Sequence, residues 1–260
     1  MSESSSFAPS VDSHHRPNPL PWTSRWRSNL FQAPPFILST ACFGSLSLFV
    51  SLWDNSGRLQ QRLARIWATV SVFFSASSLT VIGAENLHQP GPAVYASNHT
   101  SYMDTPVVFS AIPFQFRILA KIELWKLPFI GWYLRRSGQI PIDTANPRAT
   151  LSSLGAAVST LRSGMPLFVF PEGGRTPDGN LQTFLNGAAY IAIRSQVPVV
   201  PIALIGVYHL LPMHSHHFHP TPLKFIAGSP IPTRGLTLRQ TDQLSAQIRD
   251  AIQSLIDLNS

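Results

Sequence analysis

The chain has 260 residues, with 19 Lys and Arg against 12 Asp and Glu, so it is basic although only 12% of its residues are charged. That length holds one sizeable core with an appendage, and the scattered arginines exclude the dense basic tracts of a nucleic-acid binder. A sparse basic surface beside long apolar runs suits an anionic membrane face instead, and the single cysteine, Cys42, leaves no intrachain disulfide and makes a cytosol-facing site the simpler reading.

Residues 1–28 are rich in Ser, Pro and His and lack any apolar period, the composition of a disordered polar tail. Residues 36–53 then run 18 positions without a charge. As a helix they reach about 27 Å, close to the roughly 30 Å of a hydrocarbon core. A second apolar segment, residues 66–79, follows the basic stretch Arg58, Arg62 and Arg65. Arg16, Arg25 and Arg27 precede the first segment, so arginines flank it on both sides and the positive-inside rule gives no orientation. Residues 29–79 are therefore expected to form an apolar helical region that associates with a membrane. A hairpin seated in one leaflet fits at least as well as a single span, and the alternative is a pair of buried core helices.

From residue 80 to 260 short apolar runs alternate with longer mixed segments, as in an α/β domain with a mixed, mostly parallel central sheet flanked by helices. Strands are predicted at 80–82, 93–96, 116–120, 139–142, 167–170, 199–204 and 223–227. Helices are predicted at 106–110, 125–135, 148–163, 186–195 and 242–258. In the last of these, Leu244, Ile248, Ile252, Leu255 and Ile256 recur at helical spacing and mark a core-covering face.

Two loops carry groups that can do chemistry. After the strand at 93–96 comes Asn98-His-Thr-Ser-Tyr-Met-Asp104, which sets His99 five positions ahead of Asp104. A neutral imidazole takes a proton near cellular pH, and a carboxylate beside it fixes the tautomer and stabilises the imidazolium. This is the base half of a hydrolase triad. No Gly-x-Ser-x-Gly elbow supplies a nucleophile, and Cys42 lies far away in an apolar segment. The second loop, Phe170-Pro-Glu-Gly-Gly-Arg-Thr176, follows the strand at 167–170. Gly173 and Gly174 permit positive φ and close backbone approach, Arg175 offers a planar fork of donors for a phosphate, and Glu172 can orient that arginine or accept from a substrate hydroxyl.

Together these blocks resemble the glycerolipid acyltransferase family, whose members include 1-acyl-glycerol-3-phosphate acyltransferases of the PlsC type. Lys121-x-Glu-Leu124, Pro128, Gly131, Gly138 and Ile140-x-Ile-Asp143 are similar to the family's second block, and Val197-Pro-Val-Val-Pro-Ile202 to its fourth. The resemblance implies that His99 is a general base oriented by Asp104, and that an acceptor hydroxyl attacks the acyl thioester with no covalent acyl-enzyme. Glu172, Gly173 and Arg175 would hold a glycerol phosphate, with Lys121 a further phosphate ligand. Backbone amides of the His99 loop or around Gly173 would receive the oxyanion. No cofactor or metal is implied. The co-substrate would be an acyl-CoA or acyl carrier protein thioester, and the partners would be membrane lipids and a lysophospholipid acceptor.

The sequence departs from the family pattern at Thr144, where Arg is common, with Arg148 four positions on. It departs again at Gly174, where Thr is usual, and at Asn186, where Lys often precedes the glycine. These departures leave acyl transfer intact and open the acceptor to another lysophospholipid or an amine-bearing lipid. A non-catalytic lipid-binding protein on the same fold and a hydrolase using water are the competing readings. The run His214-x-His-His-Phe-His219 has metal-like spacing without a carboxylate or cysteine, and reads as a surface or membrane-edge loop.

Overall fold

The computed structural model describes residues 22–260 apart from 55, 214 and 216. Helix α1 (Trp22–Arg27), a π-helical turn (Ser28–Gln32) and α2 (Ala33–Val50) follow one another directly, and α3 (Arg58–Phe74) returns beside them. Residues 22–28, read from composition as tail, are thus helical, while residues 1–21 lie outside the described residues. The reason is a distant contact that composition does not reveal: Ser28 is buried, and its Oγ accepts the Phe218 N–H at 2.8 Å.

The α2–α3 hairpin is antiparallel and latched by polar pairs along its length. Gln32 donates to the Ser75 carbonyl at 3.0 Å, the Trp67 indole N–H to Thr40 at 3.0 Å, and Ser47 to Gln60 at 3.4 Å. Helix α2 turns only Gly44 and Ser47 fully inward, where small side chains allow close approach. A Cβ at Gly44 would lie 2.6 Å from that of Phe129. Phe36 packs against Trp67 and Phe218, but most large side chains point outward, with Ile37 66%, Leu38 65% and Phe49 59% exposed. Such a face is too apolar and too continuous for water, and it fits association with a membrane. Helix α3 starts at Arg58, so its three arginines belong to the helix and do not precede it. Ala64, Ala68 and Val72, at helical spacing, form its buried stripe.

Then follow β1 (Leu79–Ile82), β2 (Val94–Ser97), α4 (Asp104–Ala111), β3 (Arg117–Lys121), α5 (Ile130–Arg136), β4 (Ile140–Ile142), α6 (Pro147–Arg162), β5 (Leu167–Val169), α7 (Gly187–Ser195), β6 (Val199–Ile205), α8 (Val207–Leu210), β7 (Leu223–Ala227) and α9 (Thr241–Asp257). The expected helix at 125–135 is divided. A 3-10 turn (Ile122–Lys126) precedes α5, because Pro128 forces Leu127 into an extended conformation and Phe129 takes a φ of +62°.

The strands form one seven-stranded sheet in the order β1-β7-β6-β2-β5-β3-β4, and only the β6–β7 pairing is antiparallel. Alternate residues of each strand serve opposite layers. Tyr95 and Phe168 pack under α3 and α4 with Val107, while Val94, Ala96 and Leu167 pack under α6, α7 and α9 with Leu161, Ile191 and Ile248. Both faces being covered, β6 is buried almost throughout and reads as an unbroken apolar run. The parallel strands β2, β3, β5 and β6 therefore end at one edge, which gathers the loops that follow them.

Candidate active site

His99 lies in the loop after β2, and Asp104 opens α4. The His99 Nδ1 and Asp104 Oδ2 atoms are 2.7 Å apart, with the aspartate fully buried and the histidine side chain 20% exposed. The same Oδ2 accepts the Thr100 N–H at 2.6 Å and the Ser101 N–H at 2.8 Å. An oxygen already taking two amide hydrogens can only accept from the ring, so the imidazole proton sits on Nδ1. Nε2, which has no partner among the described residues, is left with its lone pair.

The loop is pinned from several sides. Asn98 caps the end of β6, donating to the Leu204 carbonyl at 2.9 Å and accepting its N–H at 2.8 Å. The His99 carbonyl accepts the Thr176 N–H at 3.0 Å, and the Phe170 ring stacks on the imidazole with centroids 4.0 Å apart. Phe170 received no role from the sequence, though its place directly after β5 in the second motif is a usable signal. The nearby hydroxyls are committed elsewhere: Ser101 Oγ donates to the Leu211 carbonyl at 2.8 Å, and Ser97 Oγ to Asn98. Neither is free to act as a nucleophile for His99.

The loop after β5 brings Glu172 and Arg175 to the same edge. Glu172 does not pair with Arg175. Its Oε1 accepts the His99 N–H at 2.6 Å and its Oε2 the Gln182 N–H at 2.9 Å, so it ties two loops together by their backbones. Burial pushes its carboxyl above the ordinary range, and the two amide bonds and His99 oppose that rise. Arg175 instead lies over the Tyr102 ring, 3.6 Å from the centroid, which presents the guanidinium beside the histidine loop.

Gly173 has a φ of +71°, which disfavours any residue with a side chain, and a Cβ there would meet the tip of the exposed Leu185 at 2.6 Å. A Cβ at Gly174 would lie 3.6 Å from Lys121 Nζ. The glycine that replaces the usual threonine thus stands where the lysine at the end of β3 comes closest. Thr144 and Arg148 are exposed beyond β4, and Asn186 donates to Asp242 at 2.6 Å, which commits that position to α9.

The expected oxyanion donors are mostly occupied. The amides of His99, Thr100, Ser101 and Gly173 all have acceptors, whereas those of Gly174 and Arg175 have none among the described residues. No group of three or more His, Cys, Asp or Glu placed to hold a metal occurs among the described residues, and His214 and His216 lie outside them.

Comparison with known proteins places the chain in a family. The sequence model of the Acyltransferase family matches residues 78–205. A 1-acyl-sn-glycerol-3-phosphate acyltransferase of Chlamydomonas reinhardtii is 31% identical over 95% of this chain and 74% of its own. A chloroplastic 1-acyl-sn-glycerol-3-phosphate acyltransferase of Arabidopsis thaliana is 34% identical over 64% of this chain, and the matched part is 47% of that protein, about half its length. The crystal structure of the 1-acyl-sn-glycerophosphate acyltransferase PlsC from Thermotoga maritima shares the fold, with a TM-score of 0.74 over 89% of this chain and 97% of the other at 23% identity. With its histidine–aspartate loop inside the matched span and the match to the algal enzyme running nearly end to end, the chain belongs to the acyltransferase family of the 1-acyl-sn-glycerol-3-phosphate acyltransferases.

Proposed function

We propose that the protein transfers a fatty acyl group from a thioester to the free hydroxyl of 1-acyl-sn-glycerol-3-phosphate, giving phosphatidic acid. The observation that carries this reading is the His99–Asp104 pair at 2.7 Å, with Nε2 unpartnered and no uncommitted serine beside it. A base without an enzyme nucleophile calls for a substrate that brings its own hydroxyl.

In the reaction, Nε2 takes the proton from the acceptor hydroxyl as that oxygen bonds to the thioester carbonyl carbon. Asp104, accepting from Nδ1–H, stabilises the imidazolium that forms. The tetrahedral oxyanion is met by the Gly174 and Arg175 amides. Collapse breaks the C–S bond, and Nε2–H returns its proton to the leaving thiolate. Arg175 and Lys121 hold the acceptor phosphate, the arginine through its planar fork and the lysine as a point charge. Glu172 acts as a positioning residue for both loops. The thioester is carried by coenzyme A or an acyl carrier protein.

The exposed apolar hairpin holds the site at head-group level on the cytoplasmic face of a membrane, where both long-chain substrates are found. The first test is acyl transfer from a labelled thioester to the lysophospholipid in vesicles. Diacylated product is expected from the intact protein, and His99→Ala lowers the rate by about 10²- to 10⁴-fold. Equal rates from both proteins would remove the base from the mechanism. Neutral monoacylglycerol as acceptor is expected to be rejected, which distinguishes a phosphate-reading site from a general lysolipid site.

A further inference from the structure

At the opposite edge of the sheet, by the amino end of β3, an open cavity of about 220 Å³ lies between the first turns of α3 and the segment joining α4 to β3. Arg58, Gln61, Arg62, Arg65, Phe114 and Gln115 line it. Its polar groups lack the partners that their burial calls for. Gln61 is 4% exposed, and neither its amide nitrogen nor its oxygen has a hydrogen-bond partner among the described residues. Arg65 donates to the Ile112 carbonyl at 2.7 Å, yet its Nε is buried without an acceptor. Burial holds the Arg65 guanidinium below its ordinary pKa.

The arginines have no carboxylate partner among the described residues. The ion pairs among the described residues are His99–Asp104 and Arg249–Asp250, neither of which is here. Asp54, the nearest acid in sequence, spends its oxygens on the amides of Ser56, Leu59 and Gln60 at the start of α3. Three arginines and a buried amide therefore line one cavity with no carboxylate of the described residues paired to them.

We propose that this cavity is a binding site for a phosphate group, separate from the catalytic edge and independent of the acyl-transfer reading. Three arginine forks and the Gln61 amide match the several acceptor oxygens of a phosphate ester better than the two of a carboxylate. Leu52, Trp53 and Leu59 are 64%, 68% and 45% exposed nearby, so a phosphate at the head of a lipid would meet the arginines while its chains meet apolar side chains.

The test uses the full chain in neutral detergent micelles, in an Arg175→Gln/Lys121→Gln background that weakens phosphate binding at the catalytic edge. Calorimetric titration with dihexanoyl phosphatidic acid, inorganic phosphate and dihexanoyl phosphatidylcholine supplies the arms. Phosphatidic acid is expected to bind, and adding Arg58→Gln/Arg62→Gln should weaken it by about tenfold or more, the worth of one or two charge-assisted bonds. Gln61→Leu, which keeps every charge and fills similar volume, should weaken it measurably as well. It decides the matter if the double arginine variant does not fold. Tighter binding of phosphatidic acid than of inorganic phosphate assigns the site to a lipid head group, and equal binding assigns it to the free ion. The proposal is overturned if the arginine variant folds with unchanged affinity, if Gln61→Leu leaves affinity unchanged, or if phosphatidylcholine binds as well as phosphatidic acid.

Discussion

The loops after β2 and β5 each carry a buried or half-buried carboxylate, and the two carboxylates do different work because their oxygens touch different partners. One oxygen of Asp104 collects three N–H donors, one of them the His99 ring, so the aspartate orients the proposed base. Glu172 spends one oxygen on each of two backbone amides, at His99 and Gln182, and so holds loop against loop. Residue type is nearly the same at the two places. The difference teaches that an acid in a loop after a strand orients a ring or braces a backbone according to geometry alone.

The sharpest way to break this contrast is Asp104→Asn. The amide keeps the volume, but it can put an NH2 against donors that need an acceptor, and it no longer fixes the Nδ1–H tautomer. A fall in kcat of about 10³-fold or more is expected with acceptor KM little changed, measured by initial rates of thioester consumption. A mild loss would mean that His99 does not depend on its partner.

Glu172→Gln comes next, with a smaller effect of another kind. It retains one acceptor oxygen and loses one brace, so unfolding free energy should drop by about 1–3 kcal/mol, and kcat by about tenfold through the loosened loop. The pH dependence gives the sign. The Glu172 carboxyl is raised in the folded state above the ordinary 4.5, so the folded protein binds the proton more tightly than the unfolded chain. Its contribution is fully present below pH 4.5 and is lost as pH rises through the raised value. Denaturant unfolding of the wild type against Glu172→Gln across that window should therefore show the wild type losing relative stability with rising pH. A flat difference would show that the amide bonds cancel the effect of burial.

The gentlest comparison lies across the contact between the second loop and the first. Arg175→Gln removes the phosphate fork and should raise acceptor KM by about tenfold or more with kcat nearly kept. Tyr102→Leu removes only the ring under the guanidinium, worth about 0.5–1 kcal/mol, and should raise the same KM about two- to fivefold. Equal effects from the two would mean that the tyrosine meets substrate itself.

Much of this was legible in the chain. The strand and helix order follows from short apolar runs alternating with helical spacing, and the amphipathic stripe of α9 buries Leu244, Ile248 and Ile252 as its period requires. His99 and Asp104 are close in sequence, so their pairing is nearly local and could be read as such. The jobs of Glu172 and Phe170 could not, because their partner His99 lies about seventy residues away and meets them only once β2 and β5 pair. The same limit hides the helical start of the chain's described part, where Phe218 holds Ser28 just after α1, and apolar spacing alone runs through the division at Pro128.

By itself the sequence determined the α/β alternation, the uncharged run of α2 and the two chemical loops, since these rest on side-chain period and on groups adjacent along the backbone. Only the tertiary structure decided that α2 lies along α3 with most of its large side chains outward, that Glu172 accepts the backbone amides of two loops, and that Lys121 approaches Gly174. Each of these depends on which distant segments share an edge of the sheet, and strand order is set by packing both faces of the sheet at once, a global condition that no local window contains.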